Sequence, residues 1–264
     1  MLDRAVTFAK RLLRPNQRDA IRPLYYKLLA VTRKLQEQSI TPLPAYISRV
    51  PQLRFRLDFF NAAQMFLQVN RIDGSYLEFG SHEVNTFRMA LNTVGAHGRP
   101  NQITHFYAFD SFAGMPEPTG IDKQKIWRAT MNFTSQERFR AITRRDAYRT
   151  TSIKGFFKDV LPEFELPPGH SPALVYIDCD YYESTKDVLE WVGPYLRHGT
   201  LIAFDDWDCY FGDYARGQRR AFSEFRESTK ERLEFLDFMK IASGGMAFIC
   251  LEKDKIGTSF EGGN

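Results

Sequence analysis

Cysteine is scarce and badly spaced for pairing: Cys179, Cys209 and Cys250 are odd in number, far apart and never form a CxxC pair. That argues against a disulfide framework and against a zinc site, and it suits a reducing compartment. No apolar run approaches the roughly 20 residues needed to span a bilayer. Charges at Asp3, Arg4, Lys10, Arg11 and Arg14 interrupt any signal-peptide core near the start. A cytoplasmic location with no transmembrane segment is therefore expected. Long Lys/Arg blocks are also lacking, so the net charge of +4 gives no reason to expect nucleic acid as a partner. Internal repeats and low-complexity tracts are missing too.

What remains is a globular composition. The 264 residues are 43% hydrophobic and 26% charged, enough for one large α/β domain with a sizeable core. The 23 Phe and 12 Tyr fit a large core and an aromatic-lined pocket. Residues 1–50 read as a helical extension. Its first 40 residues carry a helical apolar pattern decorated with Arg and Lys, and the break Thr41-Pro42-Leu43-Pro44 follows. Packing on the domain or on a second subunit, as a homo-oligomer, is one reading of that extension. A helix that meets a membrane surface or an acidic partner is the other.

Residues 51–264 read as one domain. A helix is expected from Leu53 to Val69, with Leu57, Phe60, Met65, Phe66 and Val69 inward. Strands are expected at Tyr76–Phe79, His105–Phe109, Thr151–Lys154, Val175–Asp178 and Leu201–Asp205. Helices fall between them at Val84–Val94, Ser135–Tyr148 and Ser184–Leu196. A helix at Gln218–Arg232 and a strand pair at Leu233–Met239 and Met246–Leu251 close the chain. The alternation predicts a doubly wound, mostly parallel sheet with a terminal antiparallel strand. The loop from Ser111 to Asn132 is long for a compact domain and reads as a lid.

Two apolar runs end abruptly in carboxylates. Val175-Tyr176-Ile177 leads into Asp178-Cys179-Asp180, and 27 residues after Asp178 the run Leu201-Ile202-Ala203-Phe204 leads into Asp205-Asp206-Trp207. Such runs suit strands buried on both faces, whose carboxyl ends are where open α/β sheets bind ligands. Crowding Asp178, Asp205 and Asp206 there costs repulsion unless a cation neutralises them. Oxygen-only donors suit a hard divalent ion. The competing reading makes one acid of each pair, such as Asp180 or Asp208, a helix cap.

Upstream, Tyr76-Leu77-Glu78-Phe79-Gly80-Ser81 resembles the first strand-to-helix turn of nucleotide-binding sheets, but no second glycine follows. A diphosphate lacks its usual seat there, and a ligand without phosphates, such as S-adenosylmethionine, tolerates the turn better. Asp110 lies 32 residues after Glu78, where a carboxylate can accept both ribose hydroxyls of a nucleoside. Phe156, after Lys154-Gly155, could stack on a base or simply fill the core.

Taken in order, Tyr76-Leu77-Glu78-Phe79-Gly80, Phe109-Asp110-Ser111-Phe112-Ala113-Gly114-Met115-Pro116, Lys154-Gly155-Phe156, Ile177-Asp178-Cys179-Asp180 with Tyr182-Glu183-Ser184-Thr185, and Phe204-Asp205-Asp206-Trp207 closely resemble the macrocin O-methyltransferase family. These are sugar methyltransferases of macrolide biosynthesis. The resemblance covers roughly residues 70–252. It implies a class I methyltransferase fold, a Rossmann-like seven-stranded sheet, with S-adenosylmethionine as methyl donor and Mg²⁺ holding the acceptor. A more distant similarity to catechol O-methyltransferase implies Asp178, Asp205 and Asp206 as metal ligands. Glu78, Phe79, Gly80, Ser81, Asp110, Ser111, Phe112, Gly155, Phe156 and Asp178 are then the cofactor set. The resemblance makes Asp178, or Asp180 nearby, the proton acceptor. A loop at Ala113–Asn132, with Trp127 and Phe133, would close over a hydroxylated small molecule such as a sugar, glycoside or catechol. One departure stands out: the family's stretch is roughly Gly-x-x-x-Gly-Gly, whereas here Gly80 is followed by Ser81-His82-Glu83-Val84-Asn85. The rival readings are a nicotinamide-dependent oxidoreductase and a non-catalytic scaffold of the same fold.

Overall fold

Strand position in this chain follows from burial. The runs Tyr76–Phe79, Pro172–Ile177 and Leu201–Phe204 are buried along their whole length, as central parallel strands must be when helices cover both faces. The computed structural model describes residues 51–96, 103–124, 127–241 and 244–258. The expected N-terminal extension, and with it any contact to a second subunit, lies outside the described residues.

The elements are α1 (Pro51–Val69), β1 (Gly74–Phe79), α2 (Asn85–Asn92), β2 (Ile103–Asp110), α3 (Gln136–Thr143), β3 (Thr150–Lys154), α4 (Phe157–Val160), β4 (Pro172–Ile177), α5 (Tyr182–Val192), β5 (Leu201–Phe204), α6 (Gly217–Thr229), β6 (Leu233–Ile241) and β7 (Gly245–Glu252). They build a seven-stranded sheet of order β3-β2-β1-β4-β5-β7-β6. Neighbours from β3 to β5 are parallel, and β7 runs antiparallel to both β5 and β6. The expected doubly wound sheet is present, with the antiparallel last strand inserted inside the sheet rather than at its edge. No helix among the described residues is long and apolar enough to cross a membrane.

Alternating strand residues feed two cores. Tyr76, Phe106, Leu174, Tyr176 and Ala203 meet Phe59, Phe60, Phe87 and Phe139 of α1, α2 and α3 on one face. Leu77, Phe109, Val175, Ile177 and Ile202 meet Val188, Leu189 and Phe222 of α5 and α6 on the other. On α1 the buried stripe is Leu53, Phe59, Phe60, Ala63 and Leu67. Leu57 and Phe66 pack against it, but Met65 and Val69 are exposed, contrary to expectation. At about 100° per residue, Val69 falls opposite Phe60. The helix expected at Ser135–Tyr148 is also shorter. It stops at Thr143 and continues as a 3₁₀ segment, Arg144–Arg149, where Asp146 leaves helical geometry.

Order reverses between β1 and β4, which opens the crevice typical of such sheets at their carboxyl ends. Register then aligns the residues at that edge. Phe79 pairs with Phe109 and Ile177, and Ile177 with Phe204. The next amides continue the ladder: Gly80 N donates to Phe109 O, Asp178 N to Phe79 O and Asp205 N to Ile177 O, all at 2.8–2.9 Å. Gly80 has φ +90, and a Cβ there would lie 1.9 Å from the Asp178 carbonyl oxygen. Its close approach is therefore to β4. Gly80→Ala is expected to lower unfolding free energy by about 3 kcal/mol or more, since strain and a backbone clash add. Denaturant titration checks this, and a loss under about 1 kcal/mol would contradict it.

Candidate active site

Asp178 and Asp205 follow β4 and β5 directly, so ladder register sets them side by side. One carboxylate oxygen each from Asp178, Asp205 and Asp206 lies within 4.8 Å of the others. Asp205 is buried and Asp178 and Asp206 half-buried. The three are held differently. Asp205 Oδ1 accepts from Arg56 Nε at 2.7 Å and from the Tyr176 hydroxyl, while Oδ2 pairs with Arg56 Nη2. Asp206 Oδ2 accepts from the Asp180 amide at 2.9 Å, and its own amide donates to Gln218 Oε1 at 2.9 Å. Asp178 makes no side-chain hydrogen bond among the described residues and is the open member of the set.

Burial raises the Asp178 pKa well above the ordinary value, and Asp205 and Asp206 add to it. Burial likewise raises Asp206, helped by Asp180 and Asp205. Asp180 is pushed up to about 7 by burial, then by Asp178 and Asp205. Burial works against the Arg56 charge, but Asp205 outweighs it and the guanidinium is held protonated. One cation thus faces a surplus of acids, a charge balance that an added divalent ion would improve. The all-oxygen donor set fits Mg²⁺.

Two cavities meet here. The first, of about 240 Å³, is walled by Gly80, Ser81, Asp110, Ser111, Gly155, Phe156 and Asp178, together with the loop residues Met115, Asp122 and Asn132. The second, of about 260 Å³, is lined by Arg56, Glu83, Asn85, Asp205 and Asp206. His82, Asn132, Asp178 and Asp180 line both. Of the expected cofactor residues, the side chains of Phe79 and Phe112 are buried against Phe109 and Phe139 instead of lining the cavity. Ser111 Oγ donates to Gly114 O at 2.7 Å and accepts the Ala113 amide, which shapes the loop. Asp110 lies on the cavity wall, yet its oxygens already accept the Ser81 amide at 2.7 Å and the Phe112 amide at 2.6 Å. It staples the β1 and β2 ends, with its remaining lone pairs left for a ligand. Phe156 is 36% exposed on that wall, whereas Phe157 packs on Phe79.

The turn after Gly80 is unusual. Glu83 and Val84 adopt left-handed φ of 57 and 61, which is rare for a β-branched residue. Val84 occupies the position where the resembled family's stretch has glycine, and it is fully buried. The departure in sequence leaves the glycine-like backbone in place, at a cost in strain. Nearby, the Ser81 hydroxyl lies close to Glu78. Neither Ser81 Oγ nor Glu78 Oε1 makes a hydrogen bond of normal geometry, although both are buried. Glu78, also expected in the cofactor set, is fully buried and lines neither cavity, whereas Ser81 lines the one beside Gly80.

The loop after β2 is tethered. Asp122 Oδ1 and Oδ2 accept the amides of Tyr182 and Glu183 at 2.8 and 3.1 Å, capping α5 from outside that helix. Trp127 packs between Tyr181 and Tyr210, while Phe133 is half-buried. Neither Asp180 nor Asp208 caps a helix: Asp208 pairs with Arg219 and Lys240 instead. Arg56, Asp122, Tyr176 and Gln218 were not anticipated from sequence. For Arg56 a signal existed, because it falls in step with Leu53, Phe60 and Ala63 on the buried stripe of α1.

Glu78 offers a pH test. Burial pushes its carboxyl up to about 8 against the hydrogen bond from the Tyr76 hydroxyl. A raised acid contributes stability that is complete below its unfolded value, near 4.5, and is lost as pH rises through about 8. Glu78→Gln removes that titration. Its stability relative to the native chain is expected to rise by about 3–5 kcal/mol between pH 4.5 and 8.5. Melting curves that stay parallel across this range would contradict the assignment.

Comparison with known proteins agrees with this architecture. Residues 46–242 match the family model described as Macrocin-O-methyltransferase (TylF). The chain is 28% identical over 162 residues to 8-demethyl-8-(2,3-dimethoxy-alpha-L-rhamnosyl)-tetracenomycin-C 4'-O-methyltransferase of Streptomyces olivaceus. That match covers 58% of this chain and 60% of the relative, so the chain spans about three fifths of that protein's length. Among solved structures, the calicheamicin methyltransferase CalS11 superposes with a TM-score of 0.59 at 19% identity, covering 90% of this chain and 93% of that one. The O-methyltransferase NovP gives 0.56 at 22% identity, covering 74% and 79%. These two likenesses show the shared doubly wound methyltransferase fold. With the family model matching well over half of its residues, the chain belongs to the macrocin-O-methyltransferase family.

Proposed function

We propose that this chain is an S-adenosylmethionine-dependent, Mg²⁺-dependent O-methyltransferase acting on a hydroxyl of a sugar or glycosylated small molecule. The observation that carries the reading is that the cavity beside Gly80 and the carboxylate-lined cavity share Asp178. Family membership supports methyl transfer, and the Streptomyces relative, named for transfer to a rhamnosyl 4'-oxygen, supports a sugar acceptor.

When bound, the sulfonium cofactor supplies the methyl group, and the divalent ion lowers the pKa of the acceptor hydroxyl. The chain's own part is to bind, orient and take a proton. Ser81, Asp110, Gly155 and Phe156 wall the cofactor cavity, and Asp110 fixes the β1 and β2 ends relative to each other. Asp178, Asp205 and Asp206 would hold the ion. Asp178, or Asp180 two residues on, lines both cavities and would receive the acceptor proton. The loop tethered through Asp122 would limit water around the acceptor. The strained, glycine-poor turn at Val84 counts against the oxidoreductase alternative, since it gives a diphosphate no glycine-rich seat.

Three measurements test the reading. Methyl transfer to a panel of glycosides, followed by mass spectrometry, should vanish with excess chelator and return with Mg²⁺. Full transfer in chelator would remove the ion from the mechanism. Asp110→Ala should weaken S-adenosylmethionine binding by about 1.5–3 kcal/mol, the usual worth of hydrogen bonds to a charged group. Calorimetry showing unchanged affinity would take Asp110 out of the cofactor site. A melting shift with NAD but none with S-adenosylmethionine would favour the oxidoreductase instead.

A further inference from the structure

The carboxylate cluster already contains a cation. Arg56 is the only Lys or Arg side chain lining that cavity among the described residues, and it grips both oxygens of Asp205 with Nε and Nη2. The Tyr176 hydroxyl takes a further position on Oδ1. A carboxylate offers about four lone-pair directions, so Asp205 retains little for an ion shared with Asp178 and Asp206. A guanidinium cannot shed its proton to relieve the conflict. Any divalent ion within reach of Asp205 therefore meets a fixed positive charge in a half-buried site, where repulsion is poorly screened. The two partners differ in freedom: Arg56 is 21% exposed and has solvent to swing toward, whereas Asp205 is 7% exposed and fixed at the β5 end.

We propose that Arg56 is a resident counter-ion of the cluster: it holds Asp205 while no divalent ion is bound and competes with that ion for the carboxylate. The inference rests on the metal reading above and adds a positioning residue on α1 that sets metal affinity. It also ties the first turns of α1 to occupancy of the site.

Mn²⁺ is the probe, titrated into the full chain and followed by the loss of the free-ion paramagnetic resonance signal. Arg56→Gln should bind Mn²⁺ roughly tenfold more tightly than the native chain, because a competing charge is gone. Without metal the variant should melt lower, and saturating Mn²⁺ should close that gap. Arg56→Lys keeps the charge but loses the fork, so its affinity should fall between the two. If Arg56→Gln does not fold, the Lys variant alone decides, and it should bind more tightly than the native chain. Equal or weaker Mn²⁺ binding by a folded Arg56 variant overturns the proposal, because Arg56 would then support the metal site instead of competing for it. Asp178→Asn should abolish binding in both backgrounds. If neither the native chain nor any Arg56 variant takes up Mn²⁺, the metal reading fails and this proposal falls with it.

Discussion

Strand register and charge balance meet at a single edge of the sheet. Because Ile177 pairs with Phe204, the residues that follow are Asp178 and Asp205 on adjacent strands, with Asp206 beside them. Acids crowded together out of water strain a fold unless something offsets their charge. In this chain the offset comes from donors on different segments: Arg56 and the Tyr176 hydroxyl on Asp205, and Gln218 Nε2 and the Asp180 amide on Asp206. The packing of α1 against the sheet, the position of α6 and the path of the chain after β4 are all tied to that edge.

Much of this edge could be read from sequence, because short apolar runs that end in acids have few explanations in an α/β chain. The central parallel strands and the convergence of Asp178, Asp205 and Asp206 at their carboxyl ends follow from runs that are buried on both faces, whereas the place of β7 between β5 and β6 does not. Partners contributed by distant segments could not be read that way. Arg56 lies 149 positions from Asp205, and Asp122 lies 60 from the Tyr182 amide it caps. Nothing local distinguishes a capping acid in a loop from a solvated one. Arg56 did leave a trace, a charge in step with an apolar helix stripe, which reads as a flaw in amphipathicity until its partner is known. Met65 and Val69 show the converse error, in which apolar character alone assigned residues to a core that helix phase turns away from.

The segment after Gly80 illustrates how backbone geometry and residue type can separate. A missing glycine pair in sequence suggests a different turn. The chain instead keeps left-handed geometry at Glu83 and Val84 and buries the valine. Surrounding contacts hold that geometry: Asn85 donates to Glu83, and the Glu83 amide donates to Thr134. Strain of this kind persists where neighbours over-determine it, and such positions cluster near ligand sites.

The central claim is that the acids at the ends of β4 and β5 form a divalent-ion site sharing Asp178 with the cofactor cavity. Diffraction from crystals grown with Mn²⁺ and S-adenosylhomocysteine, collected at the manganese absorption edge, tests it most directly. The account predicts one anomalous peak within bonding distance of Asp178, Asp205 and Asp206, with the thioether ligand in the cavity beside Gly80. An anomalous map that is flat at those carboxylates while the cofactor cavity is filled would contradict it.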